Sequence, residues 1–189
     1  MKKKLVIVAT LLLVVILSIS MLVGCTPNNP GEYLVKWLES DKLSMTGTFG
    51  GEEMTVIIDG NKAYTNMEGI ETYVVLEDKY AERYTKIADK WTYEKVEDEE
   101  SLKEAQDIFS KESRKQLIEE LGLSTENIKD EFDKAFEKKD GAWYDKETGL
   151  VKIEISKGDM IVSMGKMLSL TYSLSGKVSI PSEAKDAKK

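Results

Sequence analysis

The chain of 189 residues holds one cysteine and no histidine. Cys25 is therefore its one thiol nucleophile, and its position is unusual. It stands directly behind a long apolar run, Leu5 to Met21, interrupted only by Thr10, Ser18 and Ser20. Lys2, Lys3 and Lys4 precede that run. A basic start, an apolar core and small residues before a cleavage point are the features of a secretory signal peptide. Without histidine there is no Ser-His-Asp or Cys-His relay and no histidine metal site. The phosphate-loop and dinucleotide-loop glycine patterns are also absent. Carboxylate chemistry of the glycosidase kind stays open. The acids, however, lie in runs such as Glu97-Asp98-Glu99-Glu100, which read as a solvated face before a helix. That run also lacks the spaced ligands and glycine of a calcium loop. No enzyme activity, cofactor or metal site is expected.

Leu22-Val23-Gly24-Cys25 resembles the bacterial lipobox. The resemblance implies that the Cys25 thiol receives a diacylglycerol and that signal peptidase II cuts between Gly24 and Cys25. The physical requirement is clear, because one acyl chain holds a protein to a membrane only marginally and two hold it firmly. A competing reading leaves Leu5 to Gly24 uncleaved, since about 20 apolar residues can span a bilayer. Thr26 to Gly31, rich in Pro, Asn and Gly, reads as an exposed tether. The expected organisation is a signal peptide over 1–24, a lipidated tether over 25–31, one domain over 32–181 and a disordered tail over 182–189. Localisation follows: the extracytoplasmic face of the cell membrane.

Loss of residues 1–24 leaves 165 residues, which suits one domain with a real core. It removes three of 27 basic residues and none of 34 acidic ones, taking the formal charge from −7 to about −10. Such a surface repels nucleic acid and anionic headgroups. With no second cysteine, the exported fold stands on packing alone.

Positioning elements follow from periodicity. Tyr33, Leu34, Trp37 and Leu38 recur at helical spacing. From Lys42 the rhythm becomes alternation, with turn residues near 50, 60, 69, 79 and 89, including Asp59-Gly60 and Glu68-Gly69. A ten-residue spacing describes an antiparallel meander. After Val96, Leu102, Ala105, Ile108 and Phe109 return to helical spacing. Ser113 and Gln116 could form a capping box, with Gly122 as a stop. Ser124 reads as the cap of a further helix carrying Ile128, Phe132, Ala135 and Phe136 and ending at Lys138-Lys139 before Asp140-Gly141. Strands return around Glu147-Thr148-Gly149, and Leu168, Leu170, Tyr172 and Leu174 alternate with Met167, Ser169, Thr171 and Ser173.

Strands, helices, then strands define an α+β fold. Eight to eleven short strands predict strong curvature of the sheet. This order, with "WYDKETGLVKIEI" and "KVSIPSEA", resembles the lipoprotein-carrier superfamily of LolA, LolB and LppX. The matching segment is Asp145, Thr148, Gly149, Leu150 and Val151, and the closing strand is followed by Pro181 and Glu183. The resemblance implies an unclosed β half-barrel with helices packed on its concave face. An apolar ligand, a lipid or acyl chain, would lie between sheet and helices. Methionines in the expected strands (Met45, Met54, Met67, Met160, Met164, Met167) would be flexible fillers of that space. The residues expected to line it are Met45, Met54, Val56, Phe109, Ile128, Phe132, Phe136, Ile153 and Leu170. Each of them is also readable as plain core. The expected partners are the membrane, through the anchor, and a possible lipid ligand, with no nucleic acid and a monomeric chain. The alternative function is a structural or protein-interaction lipoprotein, with Tyr80, Tyr84, Trp91 and Tyr93 as an outward face or a cross-strand aromatic ladder.

Overall fold

The structure is a computed structural model and describes residues 29–112, 115 and 127–188. The expected signal peptide, Gly24–Cys25 cleavage point and lipidation site, and the expected Ser113–Gln116 box, Gly122 stop and Ser124 cap, lie outside the described residues. The fold is α+β. Its eleven strands, numbered along the chain from β1 (Lys42–Phe49) to β11 (Leu168–Ser173), form one unclosed antiparallel sheet in the order β6-β5-β4-β3-β2-β1-β11-β10-β9-β8-β7. The described residues divide into two compact units, one holding 29–39, 111–112, 115 and 127–164, the other 40–110 and 165–188.

The second unit contains β1 (Lys42–Phe49), β2 (Glu52–Asp59), β3 (Lys62–Met67), β4 (Ile70–Leu76), β5 (Ala81–Ile87), β6 (Lys90–Val96), helix α1 (Glu99–Phe109), β11 (Leu168–Ser173) and helix α2 (Ser182–Asp186). Two-residue turns join β1 to β2, β2 to β3, β3 to β4 and β5 to β6, as the recurring turn residues require. At Glu68-Gly69 both residues have positive φ (53° and 76°), the geometry whose twist matches the flanking strands. Register places Leu43, Met45, Met54, Ile58, Ala63, Val74, Leu168, Leu170 and Tyr172 on one face of the sheet, and all are buried. Helix α1 is capped by Asp98, whose side chain accepts from the Ser101 amide at 2.9 Å, and it buries Ala105.

The opposite face carries a row of tyrosines directly across four strands: Tyr64, Tyr73, Tyr84 and Tyr93. Tyr64 and Tyr73 lie 4.6 Å apart, Tyr84 and Tyr93 5.3 Å apart, and Trp91 joins at 5.8 Å from Tyr73. The cross-strand ladder is thus present and extends beyond the residues the sequence singled out. Tyr80 is not part of it: it sits in the β4–β5 loop under Lys95, 4.4 Å from the ring centroid.

Within the expected disordered tail, Ser182 to Asp186 instead make α2. Ala184 is fully buried against Val75 and Tyr84, with Ile180 beside it, and Lys188 pairs with Glu82. Burial on the aromatic face supplies the apolar contact that a charged octapeptide could not provide alone.

The first unit contains helix α3 (Pro30–Glu39), helix α4 (Ile128–Ala135), β7 (Phe136–Lys139), β8 (Ala142–Asp145), β9 (Val151–Ser156) and β10 (Asp159–Met164). Pro30 and Gly31, expected to belong to the tether, are instead helical and buried. Helix α3 buries Tyr33, Leu34, Trp37 and Leu38, roughly 1.5–3 kcal/mol for each large apolar side chain. Helix α4 buries Ile128 and Phe132. Contrary to the helical stripe, Phe136 opens β7, opposite Asp145. Lys138-Lys139 are strand residues, and Asp140-Gly141 is the β7–β8 hairpin turn with φ of 51° and 84°. The local reason is that Asp-Gly serves equally as a helix stop and as a two-residue hairpin turn. The 138–143 cross-strand pair places Lys138 over the Trp143 ring at 4.4 Å. Met167, expected in a strand, lies in the turn before β11 and is 53% exposed.

Candidate ligand cleft

The first unit carries a cleft of about 570 Å³ where α4 runs into β7. Ala135, Phe136 and Val151 give it an apolar wall, and Lys134, Asp145, Lys146, Glu147 and Thr148 form the rest. This volume falls within the range of small-molecule sites. The Phe136 ring is held by a parallel stack on Phe132, 4.5 Å between centroids and 6° between planes.

One loop supports the cleft. The Asp145 carboxylate accepts from the Thr148 amide (2.7 Å), the Thr148 hydroxyl (2.7 Å), the Gly149 amide (3.1 Å) and the Val151 amide (2.7 Å). Partial burial opposes its ionisation. The Thr148 hydroxyl and the three amides outweigh that and bring the carboxyl down to about 2. Lys146 closes the other side. Its Nζ donates to the Asp133 carbonyl (2.6 Å) and the Lys134 carbonyl (2.8 Å), and its amide donates to the Ala135 carbonyl (2.9 Å). A cation on the last carbonyls of a helix also complements the negative end of its dipole. Lys134 turns to Glu131 at 2.7 Å, and that partner raises its pKa.

Asp145, Lys146 and Lys134 are therefore committed to protein partners, leaving a guest the apolar wall and the exposed Glu147 side chain. Among the described residues, no group of three or more acidic, cysteine or histidine side chains is placed to hold a metal ion. No helix among them is long and apolar enough to cross a membrane.

The residues expected to line one site separate between the units. Met45, Met54, Val56 and Leu170 share one sheet face in the second unit: Met45 stands opposite Val56, and Gly47 stands between Met54 and Leu170. Met45, Met54 and Leu170 are 5% exposed or less. Phe109 ends α1 in the same unit, half-buried. Ile128, Phe132 and Ile153 are buried in the first unit, and Phe136 alone of the nine lines the cleft. Ala135, Lys146 and Val151 were missed as site residues. The Asp145-to-Val151 segment reads in the sequence as a turn and as the segment that carries the family resemblance, while its contact with the end of α4 depends on the reach of Lys146.

The architecture thus defines a class: an α+β chain built on an eleven-stranded unclosed antiparallel sheet. Compared with protein-family models, with curated proteins and with solved structures, the chain matches none.

Proposed function

We propose that this protein is an extracytoplasmic lipoprotein, held to the cell membrane by acylated Cys25, that binds the apolar part of a lipid-like ligand without making or breaking a bond. In this reading the sheet curves as a half-barrel, with helices on its concave side. The observation that carries the ligand assignment is the cleft at Phe136. Its Asp145, Lys146 and Lys134 side chains are bonded to the protein, while Ala135, Phe136 and Val151 offer an apolar surface. Burying such a surface against an acyl chain is favourable by about 25 cal/mol per Å². The anchor assignment rests on Leu22-Val23-Gly24-Cys25 behind its basic and apolar segments.

Two experiments separate these parts. Cys25→Ser should abolish incorporation of labelled fatty acid into the protein in its own cells, and undiminished labelling would contradict the anchor. Ala135→Trp should fill the cleft from an exposed position. Lipid recovered with the purified protein should fall at least tenfold, with the melting temperature held within a few degrees. Unchanged recovery of lipid from a folded variant would remove the cleft as the site.

A further inference from the structure

The N-terminal ends of α3 and α4 lie side by side. A Cβ placed on Gly31 would stand 3.0 Å from the Lys129 Cα, and Lys129 reaches Glu32 at 3.7 Å. Helix α3 starts at Pro30, five residues after the anchoring cysteine. At ~3.6 Å per residue, even a fully extended tether separates the two by at most about 18 Å. The eight residues of α4 add about 12 Å along its axis, and the cleft lies at its far end.

We infer that this end of the unit, marked by Asn29, Glu32 and Lys129, faces the bilayer holding Cys25, with the cleft a helix length away along α4. The inference rests on the anchored reading above and adds an orientation to it. The partner is the lipid surface itself. Two features on the page set the arrangement. The tether keeps the N-terminus of α3, with that of α4 beside it, within about 18 Å of the anchored sulfur. The formal charge of about −10 on the processed chain keeps the chain as a whole from lying flat on anionic headgroups. The consequence is that the cleft stays within roughly 35 Å of the anchored sulfur, so a lipid drawn from that membrane crosses little water to reach it.

The chain suits a direct test, because acylation consumes its one thiol. Lys129→Cys, at a side chain 56% exposed, then gives a single labelling position outside the cleft. The acylated protein carries a fluorophore there and is reconstituted into phosphatidylcholine vesicles bearing a nitroxide on the headgroup. Strong quenching is expected with the native tether. It should weaken at least threefold when a Gly-Ser spacer of about 20 residues, with a root-mean-square span near 25 Å, is inserted after Thr26. Absent quenching, or equal quenching with both tethers, in protein whose mass shows acylated Cys25 overturns the orientation alone. A mass showing a bare thiol overturns the anchored reading and the orientation together.

Discussion

Gly47→Ala is expected to unfold the protein's central strand pairing, lowering stability by about 4 kcal/mol or more and the melting temperature by roughly 10 °C or more. Gly47 lies in β1 between Met54 on β2 and Leu170 on β11. A Cβ there would stand 1.9 Å from the Ser169 carbonyl oxygen and 2.9 Å from the Leu170 Cα. Both are backbone atoms of the neighbouring strand. They cannot rotate aside as a side chain would, so relief requires β1 and β11 to part. Overpacking in a core ordinarily costs 1–3 kcal/mol; here the loss of ladder hydrogen bonds adds to it. Gly50 supplies the control. It has a positive φ of 62° but nothing within 4 Å of an added Cβ, so Gly50→Ala should cost only about 1–2 kcal/mol. Chemical denaturation of both variants checks the comparison, and equal losses would show that the β1–β11 contact is not close.

Asp145→Ala is expected to cost about 2–4 kcal/mol at neutral pH, since hydrogen bonds to a charged group contribute about 1.5–3 kcal/mol each before partial solvent access is discounted. Four donors converge on this carboxylate, three of them backbone amides. Asparagine would do little better, because its amide nitrogen would meet amide donors. The pH dependence has a definite sign. The folded carboxyl titrates at about 2, below its ordinary 3.8. Its stabilising contribution is therefore complete above about pH 4 and is lost as pH falls through 2. The gap in melting temperature between parent and Asp145→Ala should narrow steadily from pH 4 to pH 2. A gap of constant size over that range would mean that the carboxylate is not what holds the loop. The same loop forms one side of the cleft, so the variant should also recover less lipid.

Much of the β architecture is written in short-range chemistry. Asp59-Gly60 and Glu68-Gly69 select tight turns through their own backbone preferences. The alternation of Leu168, Leu170 and Tyr172 records which face is buried, because a strand has a period of two. Tyr33, Leu34, Trp37 and Leu38 mark a helix for the corresponding reason at a period of 3.6. The errors arise where local signals serve two structures. Phe132 and Phe136 are spaced as helix neighbours, and they do stack, but the second already belongs to β7. Asp140-Gly141 ends a helix or turns a hairpin equally well, and only the pairing of Phe136 with Asp145 decides.

Long-range contacts explain the rest. Nothing in Ser182 to Lys188 marks Ala184 as core; its burial depends on Val75 and Tyr84, about a hundred residues earlier in the chain. The cleft is of the same kind. Asp145, Thr148 and Gly149 announce a turn, yet the wall that makes it a site requires Lys146 to reach the last carbonyls of α4. A list of apolar residues cannot distinguish side chains that fill a core from those that face an opening. Met45, Met54 and Leu170 belong to the first kind and Phe136 to the second.

Native mass spectrometry of the protein isolated from its own cell envelope addresses the central proposal most directly, since one spectrum reports both the covalent and the non-covalent lipid. The expected species lacks residues 1–24, carries acyl chains on Cys25 and holds a further lipid that departs on activation. A species of full-length mass with a bare thiol and no adduct would contradict it.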